Sequence, residues 1–327
     1  MPDISFLIAC FNAERTVEAA IVSALAQHNV TVEVIVVDDV SEDGTLARAT
    51  ALAREEPRVR ILAQEINAGP AAARNRALAA ARGEWVAILD ADDYVTPGRS
   101  ERLIGLASEH ASQVVADNLM RFRDDTPEVA WPLLPHRYGD EPFAVGLVDY
   151  LDRNRMTDGD ATLGYLKPMF QRAFLQSNGI TYDEGLRIGE DFNFVLQALC
   201  GGARFTITPQ AFYYYRMVAG SLSRRLAPSD LEQLLDANDR LLAERPDEPG
   251  LHEAVQAYRR SAEDLATYSR FRSAVRQGAW GAILQGMAEP RLWGTMTQML
   301  VHARRRRHVQ QLAIRRAAGR YRPAAKA

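Results

Sequence analysis

Lysine is almost missing from this chain: only Lys167 and Lys326 occur, so 37 of the 39 basic residues are arginine. Schiff-base chemistry, which needs a lysine amine, has little scope, and the arginine excess reads as a composition bias. Cysteine is equally scarce. Cys10 lies in the first apolar run and Cys200 in a helix-like segment, a pair that makes neither a disulfide framework nor a metal-ligand spacing. A reducing cytoplasm fits that usage. Long hydrophobic runs are lacking too: the first, Ile4 to Phe11, spans eight residues without the basic segment of a signal peptide. No later segment approaches the roughly 18 apolar residues of a spanning helix, so the expectation is a soluble or peripheral protein. Gly-x-Gly and Gly-Lys-Ser/Thr are both absent, which argues against a dinucleotide-binding turn or a P-loop.

What is present is a chain of 327 residues, 47% of them apolar, enough for one large α/β domain with an extension. The net charge of −3 hides an asymmetry, because residues 291–327 hold ten basic groups and no acid, leaving 29 basic against 42 acidic groups, or −13, in residues 1–290. Strand-like runs at Ile4–Cys10, Val32–Val37, Val59–Leu62 and Trp85–Leu89 alternate with helix-like segments at Ala13–Ala26, Thr45–Glu55 and Ala71–Ala81. That alternation predicts a parallel sheet with crossover helices. Residues 124–142, rich in Pro, Asp and Glu, read as a surface loop between two halves of a core. Beyond it the pattern predicts a helix near Val145–Asn154, a helix Phe192–Cys200 opened by Gly189-Glu190-Asp191, and strands Arg204–Thr208 and Ala211–Arg216. After Pro228 it is wholly helical, with segments at Ser229–Glu244, Leu251–Gln277 and Arg291–Ala318.

Chemistry concentrates at strand ends. Trp85-Val86-Ala87-Ile88-Leu89 runs straight into Asp90-Ala91-Asp92-Asp93. Carboxylates this crowded repel and raise one another's pKa unless a cation neutralises them, so a hard metal placed to hold phosphate explains the cluster best. A second acidic site, Asp38-Asp39, ends the run Val32–Val37, and one of these carboxylates suits the N–H of a base edge such as uracil. Helix capping accounts for the neighbouring Ser41 and Asp43. Phe11, Asn12 and Glu14 follow the first strand, and Asn67, Gly69 and Arg74 follow the third. In an open α/β sheet all of these face one crevice at the carboxyl ends of the strands.

The ordered set Phe11-Asn12, Val-Val-Asp-Asp-Val-Ser-Glu-Asp-Gly-Thr, Asn-Ala-Gly-Pro-Ala-Ala-Ala-Arg-Asn, Gly-Glu-Trp-Val-Ala-Ile-Leu-Asp-Ala-Asp-Asp and Gly-Glu-Asp resembles the family 2 glycosyltransferases of GT-A fold, in particular bacterial members that build exopolysaccharide or surface glycans. The resemblance implies a GT-A domain over residues 1–225, with a nucleotide-binding half (1–115) and an acceptor-binding half (116–225), and a helical extension over 226–327. It implies that Asp39 contacts uracil, with Phe11, Asn12, Glu14, Asp38, Asn67, Gly69 and Arg74 lining the nucleotide pocket. Asp90 and Ala91 would lie near the ribose, and Asp92 would hold Mg²⁺ or Mn²⁺ on the diphosphate. Asp191 matches the family's base, with Glu190 its rival. Arg216 and Ser221 resemble a segment that closes over the diphosphate. The expected activity is inverting transfer of one sugar from a UDP-sugar, UDP-glucose or a relative, to a polyprenyl-diphosphate-linked glycan. Processive synthesis is not expected, since Gln-x-x-Arg-Trp is absent. Two alternatives stand beside this reading: a catalytically silent scaffold of the same fold, and a sugar-1-phosphate nucleotidyltransferase, whose Gly-rich phosphate loop is absent from Ile8–Arg15.

The C-terminal arm calls for its own account. Leu292, Trp293, Met296, Met299, Leu300 and Ala303 fall near a 3.6-residue period beside Arg304-Arg305-Arg306-Arg307, Arg315 and Arg316. One reading is a basic amphipathic helix for an anionic membrane surface on the cytoplasmic face; the other is a helix packed on the main domain with solvated arginines. Nucleic acid is set aside because the rest of the chain is acidic, and a homodimer stays open.

Overall fold

A computed structural model describes residues 1–134, 138–157, 162–217, 228–243 and 248–320. The first half alternates as expected: β1 (Ile4–Cys10), α1 (Val17–Leu25), β2 (Val32–Asp38), α2 (Thr45–Glu55), β3 (Val59–Ala63), α3 (Gly69–Ala80) and β4 (Trp85–Ile88). The Val/Ile-rich runs of β1 and β2 are almost wholly buried because helices cover both faces of a parallel sheet. Pro70 sits in the first turn of α3, where its missing N–H costs nothing. Gly83, before β4, is needed for space, since a Cβ there would lie 2.5 Å from the Ser5 nitrogen.

The chain continues through β5 (Tyr94–Val95), α4 (Arg99–His110), β6 (Val114–Arg123), β7 (Thr126–Pro132), β8 (Phe143–Val145), α5 (Leu147–Asp152), a 3₁₀ turn at Leu163–Tyr165, β9 (Met169–Gln171), α6 (Arg172–Ser177), α7 (Glu190–Cys200) and β10 (Phe205–Arg216). One mixed sheet runs in the order β3-β2-β1-β4-β9-β6-β10-β5, with β7 on β6 and β8 on β10. The chain leaves β1 toward β2 and β3, then returns to place β4 on the other flank of β1 in parallel register. That reversal opens a crevice at the carboxyl ends of β1 and β4, toward which the described residues of the predicted site gather.

Several expectations need correction. Residues 126–132 of the expected surface loop form β7, a hairpin partner of β6; its two prolines are tolerated because β7 pairs with no other strand among those described. The two strands expected between Arg204 and Arg216 are one strand, β10, whose register shifts near Ala211 mark a bulge. The first helix starts at Val17 rather than Ala13, because Ala13 and Glu14 turn the chain out of β1 by bonding to Thr45 and Asp43.

Past the sheet come α8 (Pro228–Leu242), α9 (Leu251–Gln277), α10 (Trp280–Met287) and α11 (Pro290–Arg320). Leu231, Leu234, Leu251, Ala254 and Tyr258 join the sheet's own hydrophobic core. The Tyr150, Phe192 and Tyr258 rings stack in sequence at 5.0 and 5.1 Å, tying α9 beneath α7. No segment was expected at α10, and none of its residues is buried. No described helix is long and apolar enough to cross a membrane.

Candidate active site

Two positively charged side chains organise the crevice. Arg74, buried on α3, sends Nη2 to Asp90 Oδ1 at 2.8 Å and Nη1 to Glu190 Oε1 at 2.8 Å and Asp191 Oδ1 at 3.3 Å. Lys167, buried just before β9, bridges Asp90 Oδ2 at 2.7 Å and Asp191 Oδ2 at 2.6 Å. Burial opposes both charges, but Asp191 and Asp90 outweigh it, holding both groups well above their ordinary pKa. Burial alone would raise Asp90; Lys167 and then Arg74 hold its carboxyl well below the usual range.

Lys167 is the residue the sequence reading missed. Its backbone is fixed twice: Pro168 restricts it to extended conformations, and the buried Arg99, paired with Asp117 at 2.9 Å, donates Nη2 to the Lys167 carbonyl. A usable signal existed, because in a chain with 37 arginines an internal lysine ahead of a proline is the exception.

Asp191 also accepts from the Tyr182 hydroxyl at 3.3 Å, and the Tyr182 ring stacks on Phe194 at 4.2 Å. Oδ1 thus faces Arg74 and Tyr182, while Oδ2 meets Lys167 alone and keeps a free lone pair. Glu190 and Asp191 occupy the first turn of α7, where the helix dipole favours negative charge. Burial and then Asp191 still push the Glu190 carboxyl up. Gly189 makes that entry possible: it holds φ +72°, and a Cβ there would come 2.6 Å from a Leu234 methyl on α8.

The second acidic group stands across Asp90. Asp90, Asp92 and Asp93 each present an oxygen within 4.8 Å of the others. Asp93 is spoken for, accepting from the Tyr213 hydroxyl and the Arg216 N–H at 2.7 Å each; burial, then Asp90 and Asp92, hold its carboxyl well above the usual range. Asp92 has no side-chain ion pair among the described residues, and burial followed by the Asp90 charge pushes it up to about 6. An under-neutralised, all-oxygen cluster with one uncommitted carboxylate fits a hard divalent cation such as Mg²⁺ or Mn²⁺. Arg216 backs this corner through Nε to the Asp92 carbonyl at 2.7 Å, with Asp124 paired to its guanidinium. Ala91 is buried within the turn. Ser221 lies outside the described residues.

The nucleotide-side residues gather at the ends of β1 and β2, but several are engaged within the loops. Asp39 Oδ1 accepts from Gln64 and the Ala68 N–H, and Oδ2 accepts from the Gly69 N–H at 2.8 Å, leaving a lone pair on Oδ2. Asn67 donates to the Asp39 carbonyl at 2.9 Å. Asp38 caps the Ser41 N–H at 3.1 Å, and Asn12 accepts from the Glu42 N–H at 2.9 Å. Glu14 accepts from the Gly44 N–H and pairs with Arg48 at 3.4 Å. Phe11 is 50% exposed at the mouth. Asn12 and the β-branched Val40 both hold positive φ, +52° and +63°, local strain of the kind that binding loops retain. Arg74, expected along the nucleotide pocket, bonds both Asp90 and the carboxylates of α7.

Comparison with known proteins fits this geometry. The chain is 34% identical over 304 residues to the succinoglycan biosynthesis protein ExoO of Rhizobium meliloti, covering 89% of this chain and 82% of the relative. It is 32% identical over 281 residues to ExoU of the same organism, covering 85% and 81%. The crystal structure of S. aureus TarS 1–349 in complex with UDP-GlcNAc superposes with a TM-score of 0.68 at 19% identity, covering 97% of this chain and 92% of that one, which establishes the shared GT-A fold. The pattern of Glycosyl transferase family 2 matches residues 5–174, just over half of the 327, and with two relatives above 30% identity across most of their length the chain belongs to that family and is a glycosyltransferase.

Proposed function

We propose that the protein transfers one sugar from a UDP-sugar, UDP-glucose or a close relative, to a polyprenyl-diphosphate-linked oligosaccharide, with inversion, in exopolysaccharide or surface-glycan synthesis. In this reading the enzyme works at the cytoplasmic face of the plasma membrane. The observation that carries the reaction is the division of labour around Asp90: an uncommitted Asp92 on one side and, on the other, a hydrogen-bonded Asp191 that Lys167 bridges to Asp90. Inverting displacement needs a base on the acceptor face of the sugar and electrophilic help on the leaving diphosphate.

Each residue then has a task. The free lone pair of Asp39 Oδ2 accepts the uracil N–H, and Phe11 offers its ring to the base. Asp92, with Asp90 beside it, holds Mg²⁺ or Mn²⁺, which when bound would neutralise charge on the leaving diphosphate. Arg216 steadies the turn that presents Asp92 and faces the same corner. Asp191 takes the acceptor hydroxyl's proton at Oδ2, while Arg74 and Tyr182 hold Oδ1 and so fix the carboxylate plane. Succinoglycan relatives support an exopolysaccharide context, and the UDP-sugar complex of TarS supports the donor class.

Calorimetric titration of UDP, with Mn²⁺ and then with chelator, tests the donor half. Metal-dependent binding is expected, and no binding in either condition refutes it. Asp191→Asn is expected to bind UDP normally and to lose turnover by about 10²–10⁴-fold. Binding without turnover in the wild type, across a panel of UDP-sugars and lipid-linked acceptors, would favour the silent scaffold.

A further inference from the structure

Helix α10 is built unlike the other helices. No charged residue stands between Arg276 and Glu289, and Trp280, Leu284 and Met287 recur on one stripe at i, i+4 and i+7. In a helix packed on a core that stripe would face inward. Here it faces water: Trp280 is 75% exposed and Leu284 66%, while the opposite face, at Gly286, closes on Phe271 of α9. The stripe continues onto α11. The Trp293 indole, half exposed, donates Nε1 to the Met287 carbonyl at 3.0 Å, which joins the two helices at their corner. One heptad on, Leu300 is exposed, and Arg304 is exposed one turn beyond it. Val275, at the end of α9, adds a further exposed apolar side chain. Solvated apolar side chains scattered singly need no explanation, whereas a continuous stripe with two tryptophans does.

Charge chooses the occupant. Residues 291–327 hold ten basic groups and no acid, and Arg304-Arg305-Arg306-Arg307 follow the exposed Leu300 and Val301 with two residues between. A second copy docking through this face about a two-fold axis would bring two such arms together and repel. An anionic bilayer meets both requirements, taking apolar and tryptophan side chains at its interface and basic groups at its headgroups. We propose that α10 and the first half of α11 form the membrane-docking surface of this enzyme, with the α10 stripe entering the interface of an anionic leaflet and the arginine arm lying on its headgroups. The inference deepens the membrane location proposed above and rests on it. It also separates the two readings of the arm residue by residue: Leu292 and Thr295 pack inward, while Trp293 and Leu300 face out.

Intrinsic fluorescence of the full chain provides the test, because Trp85 and Trp131 are buried and only Trp280 and Trp293 are exposed. Vesicles of phosphatidylcholine mixed with phosphatidylglycerol should pellet the protein, shift its emission to the blue, and allow brominated lipid to quench it. Phosphatidylcholine alone should do so weakly. Replacing Trp280, Leu284 and Met287 together by serine should weaken pelleting on the order of tenfold or more, with an unchanged melting temperature because all three are exposed. Absence of pelleting with anionic vesicles overturns the proposal. So does pelleting that the triple variant retains, which would assign binding to the arm's charge alone, or protein-concentration-dependent burial of Trp280 without lipid, which would assign the face to a second copy. UDP-sugar hydrolysis without vesicles separates the two readings: if it persists while vesicle binding fails, only the docking surface falls, and if it is absent while vesicle binding holds, only the transfer reading falls.

Discussion

Replacing Asp92 by asparagine should make the metal-free protein more stable, not less. Burial and the neighbouring Asp90 push the Asp92 carboxyl from 3.8 up to about 6, so the folded state binds this proton more tightly than the unfolded chain does. An acid raised in this way costs nothing below pH 4 and destabilises progressively as pH climbs through the window from about 4 to 6. Roughly two units at 1.36 kcal/mol each give a penalty of about 3 kcal/mol at pH 7.5, with about half of it present at pH 5. The asparagine amide keeps the shape without the charge, so the variant should melt higher than wild type by about 4–5 °C at pH 7.5 and lose that advantage on acidification. Mn²⁺ with UDP should reverse the order once the ligand reaches about a thousandfold excess over its dissociation constant, where it adds about 4.1 kcal/mol to the protein that binds it. Differential scanning fluorimetry across pH, with chelator and then with Mn²⁺ and UDP, reads both effects. An Asp92→Asn variant that melts at or below wild type without metal at pH 7.5 would refute the electrostatic argument; one that gains as much from Mn²⁺ and UDP would refute the assignment of Asp92 to the metal.

Two further substitutions probe the scaffold of the site. Lys167→Met removes the ammonium between Asp90 and Asp191 and leaves Arg74 alone against three carboxylates; a stability loss of about 3 kcal/mol is expected, together with a fall in turnover, and a variant that melts and turns over like wild type would show that the bridge is incidental. Gly189→Ala places a Cβ against Leu234 at a residue with φ +72°, so a cost of about 1–3 kcal/mol is expected, with turnover falling more than UDP affinity because the strain moves the start of α7; denaturant titration and kinetics on the same sample check both.

The crevice was legible because its signals are local. A buried strand announces itself by consecutive Val and Ile, and a carboxylate pair at its end stands out against them, so β1, β2 and α2 fall within a residue of their predicted limits. Secondary elements whose existence depends on distant partners were not legible. β9 is three residues long and is a strand only because β4 and β6 stand on either side of it. β7 carries two prolines and survives as an edge on β6. Neither announces itself by period or propensity, since tertiary pairing decides them.

The same distinction separates the readable half of the site from the unreadable half. Asp92 and Asp191 come from motifs, each a carboxylate at a strand or helix end. Lys167 has no motif in this reading; it lies at distant sequence positions from both its partners and is drawn to them only after β9 slots beside β4. Yet electrostatics alone requires such a residue. Asp90, Glu190 and Asp191 are half-buried together, and Arg74 is a single positive charge against three negative ones. A half-buried cluster left at two net negative charges would be strongly self-repelling. A second buried cation is therefore what such a cluster calls for, and in a chain with two lysines the internal one was the candidate to test.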